Sequence, residues 1–260
     1  MKKFYKENRS FLRFFKKRFN RNLIQSFFKD DFKLFKFLSK INTSKGLLFL
    51  LYRELSPKFR IQNNKYNYFY HNYRRTWNNE RAVEVPIIWE IVNRYKDKEI
   101  LEVGNVLSHY YNVNHDIVDK YEVSDSVINK DIIDYQTNKK YELVISISTL
   151  EHVGWNEIPE DPAKVLTVLD NLMKILDRNG KIIITLPIGW NPHLDKLLKE
   201  NKITFYKRIC LKRISQKNHW REVKWKDIQN IKYDNPFHSA NGLLILFIKH
   251  HFIDFKNIEK

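Results

Sequence analysis

A chain of 260 residues with 43% hydrophobic and 15% aromatic side chains can build one α/β domain and an appendage, which argues against wholesale disorder. The net charge of +17 is gathered at one end: residues 1–75 hold 20 Lys/Arg against 4 Asp/Glu, whereas residues 76–260 hold 27 against 26. A single cysteine, Cys210, excludes an internal disulfide and a cysteine-built zinc site and suits a reducing compartment, and no stretch nears the roughly 18 apolar residues of a membrane-spanning helix.

Residues 1–75 therefore read as a basic, aromatic-rich helical extension and 76–260 as the domain. The first apolar stretches are broken every few residues by Lys or Arg, unlike a secretory leader, so a cytoplasmic protein is expected. Over residues 4–38, Phe11, Phe15, Phe19, Phe28 and Phe32 recur at helical spacing with Arg13, Lys16, Lys17, Arg21 and Lys29 between them. Such a helix can dock on its own domain, lie on an anionic membrane surface as a peripheral anchor, or contact nucleic acid. A second apolar helix, Leu47 to Leu55, is stopped by Ser56-Pro57. Tyr66 to Tyr73, followed by Arg74 and Arg75, suits either base stacking or a loop covering a pocket.

In the domain, Asn78 or Asn79 can cap a helix that has Glu80 in its first turn and Val83, Ile87, Ile88, Ile91 and Val92 on its apolar face. Arg81 and Glu84 on this helix read as ordinary surface charges or as closing a ligand site from above. The next stretch, Ile100-Leu101-Glu102-Val103-Gly104-Asn105, is an apolar run ending in an acid and a glycine. A second such run, His115 to Asp119, follows. Two strands of this kind open a nucleotide-binding parallel sheet: the glycine permits a tight turn, and the acid at the second tip meets a ribose diol. Val127 to Ile132 reads as a short third strand, and Tyr141 to Ser148 as a strand buried on both faces. A helix from Asp161-Pro162 is predicted to close at Asn179-Gly180, before a strand Lys181 to Leu186. Ile203 to Leu211 and Leu243 to Ile248 supply two more strands across a polar loop. His109, His115, His193 and His238 have no ligand spacing, so no metal is expected.

The segments ILEVGN, HDIVDKYE, NKDIIDY, YELVISISTLEHV and LMKILDRNGKIIITLPIG, in this order, resemble the class I S-adenosylmethionine-dependent methyltransferases over about residues 78–250. The resemblance implies a three-layer Rossmann-like fold with a seven-stranded sheet in the order 3-2-1-4-5-7-6, its last strand antiparallel. It implies S-adenosyl-L-methionine as cofactor. Glu102, Gly104 and Asn105 would hold its methionine and ribose portions, and Asp119 would take the ribose hydroxyls. Asp131 and Ile132 would flank the adenine, and Ser146 and Ser148 would line the pocket beneath the sulfonium. The sequence departs from the family in the loop, where Val106 and Ser108 stand at positions usually held by glycine.

Methyl transfer is an in-line displacement in which a hydroxyl or amine acceptor gives up a proton, and Glu151-His152 at the tip of the fourth strand are the candidate catalytic pair. The alternative for Leu150-Glu151-His152 is a cap framing the pocket. Trp190, His193 and Asp195 follow the fifth strand as candidate acceptor contacts. The neutral domain argues against a nucleic-acid substrate and for a small molecule or glycan, methylated on oxygen or nitrogen. The rival expectation is a non-catalytic, methyltransferase-like binding or membrane-associated protein that has lost its cofactor.

Overall fold

The computed structural model describes residues 58–250. The helices expected over 4–38 and 47–55 lie outside the described residues. The chain divides into two compact units at Tyr68/Phe69. In the described part of the first, strands β1 (Lys58–Ile61) and β2 (Asn64–Asn67) form an antiparallel hairpin, with Phe59 stacked on Tyr66 at 5.3 Å. Within the 1–75 extension, these two described segments are thus β structure. Residues 69–75 go with the second unit, because Phe69 N donates to Ala82 O at 2.8 Å and Thr76 Oγ1 donates to Phe69 O at 2.8 Å.

The second unit begins with helix α1 (Arg81–Arg94). Its start is held by Asn79, whose Oδ1 accepts from Arg81 N at 3.1 Å. Strands β3 (Ile100–Val103), β4 (Asp116–Asp119) and β5 (Ile128–Asn129) follow, then the seven-residue β6 (Tyr141–Ile147). Helix α2 (Lys164–Ile175) leads directly into β7 (Leu176–Pro187). Helix α3 (Pro192–Lys199) and strands β8 (Lys207–Arg213), β9 (Trp220–Val223) and β10 (Gly242–Ile248) complete the unit.

The eight-stranded sheet runs β5-β4-β3-β6-β7-β10-β8-β9. Strands β3 to β7 pair in parallel, while β10 is antiparallel to both β7 and β8. Counted from β3, this is the order 3-2-1-4-5-7-6, extended at one edge by β9. The β-branched run of β6 suits its central position, where the strand is buried on both faces. Leu101, Val103, Val144, Ile182 and Ile184 join one core cluster with Val165, Leu172 and Leu194 from α2 and α3. Thr185 alternates with Ile184, and its hydroxyl bonds Glu84 of α1 at 2.7 Å, so α1 covers the opposite face. Helices on both faces make three layers.

Two local expectations change. Helix α2 ends at Ile175, and Gly180 lies inside β7 without a left-handed turn. A Cβ at Gly180 would sit 2.8 Å from the Tyr141 carbonyl oxygen, so the glycine serves close strand approach at a register shift and not a helix cap. The third strand shrinks to Ile128–Asn129, because Asp131 turns the chain by accepting from Ile133 N at 3.2 Å. Among the described residues no helix is long and apolar enough to cross a membrane.

Candidate functional site

Register sets the site. Glu102 and Val103 lie opposite Ile117 and Val118, and Val103 lies opposite Ser146, so the tips of β3, β4 and β6 are level. The strand order reverses between β3 and β6, and clefts outside the carboxyl ends of such strands are where parallel sheets bind ligands. A cleft of about 770 Å³ opens there, with Asn105 and Tyr110 from the loop after β3, Asp119 from β4, and Thr149 and His152 from beyond β6. Tyr73, Arg74 and Arg81 close its other side. A recess of about 70 Å³ adjoins it, walled by Gly104, Val118, Ile132 and Val153.

The loop after β3 keeps one indispensable glycine. Gly104 has φ +85°, and a Cβ there would lie 2.2 Å from Thr149 Oγ1. Val106, by contrast, has φ −120°, outside the left-handed region that calls for glycine, so the turn does not demand the absent second glycine. Acids brace the turn instead. Glu102 Oε1 accepts from both Val106 N and Leu107 N at 2.9 Å, and its Oε2 lies 2.7 Å from His115 Nε2. Glu102 is completely buried and lines neither cavity. Both of its carboxylate oxygens are engaged within the protein.

Asp119 does reach both cavities. Its Oδ2 accepts from Asn105 N at 2.9 Å, and its Oδ1 accepts from Tyr121 N and Glu122 N at 2.8 Å. Burial acts to raise this carboxyl, but the three amides and His109 outweigh it and hold it below the ordinary carboxylate range. Four lone-pair positions less three amides leaves one acceptor for a ligand. Asn105 lines the cleft, but its side chain is engaged, donating to Glu122 Oε1 at 2.8 Å and accepting from Ser108 Oγ.

Asp131 and Ile132 stand at the recess. Asp131 Oδ2 is bonded to Lys164 Nζ at 2.7 Å and Lys120 Nζ at 3.0 Å, and both lysines also meet Glu157. These partners hold the Asp131 carboxyl below its usual range against the opposing pull of burial. Ser146 and Ser148 line neither of the two cavities. Ser146 is sealed in β6 with its hydroxyl unpartnered, and Ser148 turns under α1, where its Oγ donates to Glu84 Oε1.

His152 lines both cavities, and its Nδ1 lies 2.7 Å from Asn156 Oδ1. Glu151 Oε1 is 3.8 Å from His152 Nε2, too far for a hydrogen bond. Glu151 is 1% exposed, lines neither cavity, and its Oε2 has no partner. Burial raises this carboxyl well above its normal range. It sits behind the imidazole and is not bonded to it. Trp190 touches His152 edge-on at 5.3 Å, and His193 meets Trp155 at 5.4 Å. Asp195 folds inward to accept from Gly189 N at 2.9 Å. None of these three lines the cleft.

Helix α1 contributes to the site more than surface charges. Glu84 is fully buried, and its Oε1 accepts from Thr185 Oγ1 at 2.7 Å as well as from Ser148. Arg81 Nη1 donates to Glu84 Oε2 at 3.0 Å and to Ile147 O at 2.9 Å, fixing the guanidinium at the cleft wall. The available signal was an acid set among Val83, Val85, Ile87 and Ile88, with an arginine three residues earlier. The segment before α1 also contributes: Tyr73 stacks on His109 at 4.3 Å, and Phe69 meets Tyr110 at 5.1 Å.

No family model matches the chain, and no curated protein matches it. Solved structures do. The N-methyltransferase NodS of Bradyrhizobium japonicum, in complex with S-adenosyl-L-homocysteine, is similar at 12% identity over 68% of this chain and 96% of its own, with a TM-score of 0.37. A sugar N-methyltransferase from Streptoalloteichus is similar at 10% identity over 75% and 98%, with a TM-score of 0.36. An S-adenosylmethionine-dependent methyltransferase from Clostridium acetobutylicum is similar at 10% identity over 63% and 89%, with a TM-score of 0.34. At these values the likeness assigns no substrate and no residue role.

Proposed function

We propose that the cleft binds S-adenosyl-L-methionine and that the protein transfers a methyl group to oxygen or nitrogen of a small molecule or glycan. The observation that carries this reading is Asp119, a half-buried carboxylate with one acceptor position left, at the junction of a roomy cleft and an apolar slot. A cleft of this size falls within the range of about 300–1,000 Å³ common for small ligands. In this reading Asp119 takes a ribose hydroxyl and Val118, Ile132 and Val153 sandwich the adenine. Asp131 offers its less crowded Oδ1 to the exocyclic amine, and Gly104 lets the backbone pass close to the ligand.

The bound cofactor supplies an electrophilic methyl group on a sulfonium. The chain's share is alignment, exclusion of water and removal of one proton. With Nδ1–H donating to Asn156 Oδ1, the His152 Nε2 lone pair is the base that accepts the proton from the acceptor's hydroxyl or amine. Glu151 acts at most through His152. The near-neutral charge of residues 76–260 supports an acceptor other than nucleic acid.

A second reading is a binding protein that has lost its cofactor. It is favoured by the internal commitment of Glu102, Asn105 and most of Asp131. Crystallisation with S-adenosyl-L-homocysteine separates the two. The first reading expects a ribose hydroxyl at hydrogen-bond distance from Asp119 and the base against Ile132. A ligand-free cleft at millimolar nucleoside overturns it.

A further inference from the structure

We infer that Arg81 reads the free carboxylate at the amino-acid end of the nucleoside ligand, taking over from a loop whose own amides are spent. The inference rests on the reading given above and adds a residue to it. Gly104 N is bonded to Val118 O, Asn105 N to Asp119, and Val106 N and Leu107 N to Glu102. Four successive donors therefore point into the protein, and an anionic ligand group must find its donors elsewhere.

Arg81 is placed to supply them. It lines the cleft, its side chain is 18% exposed, and one nitrogen, Nη1, carries both of its bonds, to Glu84 and to the Ile147 carbonyl. Among the described residues Nε and Nη2 have no partner. A guanidinium has five donors in a rigid fork, so anchoring one nitrogen orients the remainder for a planar carboxylate. The anchor is itself stiff, since Ser148 and Thr185 hold Glu84 from the tips of β6 and β7. Burial opposes the charge on Arg81, but Glu84, Glu80 and Glu151 together favour it.

Calorimetry on the full chain compares S-adenosyl-L-homocysteine, its carboxamide, and 5′-methylthioadenosine, which lacks the amino-acid end. For the unaltered protein the carboxamide should bind about tenfold or more weaker than the acid, the range of a charged hydrogen-bonded pair. Arg81→Met should lose about tenfold or more on S-adenosyl-L-homocysteine and leave methylthioadenosine unchanged. Arg81→Lys, which keeps the charge without the fork, should fall between. Equal affinity for acid and carboxamide overturns the inference, and that comparison needs no variant to fold. Equal weakening of all three ligands by Arg81→Met overturns it too. If none of the three binds the unaltered protein, the cofactor reading itself fails and takes this inference with it.

Discussion

The Asn105 amide donates to Asp119 Oδ2 at 2.9 Å, tying the loop after β3 to the tip of β4. One carboxylate thus shapes the turn and faces the ligand. Asp119→Ala should strand three amides, lower stability by about 1–3 kcal/mol and abolish nucleoside binding, as read by thermal melting and calorimetry. The folded-state carboxyl titrates below its ordinary value, so the folded chain binds fewer protons than the unfolded one. The contribution is therefore full above the ordinary carboxylate range and is lost as pH falls through the depressed value. The stability gap between wild type and Asp119→Ala should close in acid.

Gly104→Ala combines a left-handed backbone with a methyl group placed on Thr149. It should cost about 1–3 kcal/mol from the backbone alone, with the contact adding to it. Thr149→Ala in the same chain should recover part of the contact portion, since the Cβ of residue 149 still lies 2.8 Å away, and none of the backbone portion. Melting curves of the single and double variants check this.

Asp195 gives the opposite pH signature. Burial raises its carboxyl from 3.8 to about 6. Between those values the folded chain holds a proton that the unfolded chain has released, so the residue costs stability as pH rises through this window, and the cost persists above it. Asp195→Asn should match wild type near pH 4 and melt higher at pH 7.5, by about 2–4 °C for each kcal/mol recovered.

His152→Ala should slow methyl transfer about 10²–10⁴-fold, the usual loss when a general base is removed, while calorimetry finds the affinity for S-adenosyl-L-homocysteine unchanged. Asn156→Ala, which removes only the Nδ1 partner, should slow it less. A parallel fall in nucleoside affinity would mean that His152 holds the ligand and does not serve as the base.

The sheet was legible because its strands are written in local patterns: the runs of β3, β6, β7 and β10 are apolar, β-branched and punctuated by turns. Strand β9 was not, since Trp220–Val223 is four residues long and holds Arg221 and Glu222, as suits an exposed edge. Asp119 and Ile132 could be placed at the cavities because a tip residue of a parallel strand has little choice of location. Glu102 shows where that logic ends: the same placement allows its side chain to turn back and cap its own loop. The Arg81–Glu84–Thr185 chain spans 101 residues of sequence from Glu84 to Thr185, and no local period encodes such a contact. Residue spacing likewise left Ser146 and Ser148 free to face either side of the sheet end.

The most direct measurement is titration calorimetry of the full chain with S-adenosyl-L-methionine, run beside Asp119→Ala. The account predicts one-to-one binding to the unaltered protein and none to the variant. A folded wild type that gives no heat at high micromolar cofactor, or a variant that binds as well as wild type, would contradict it.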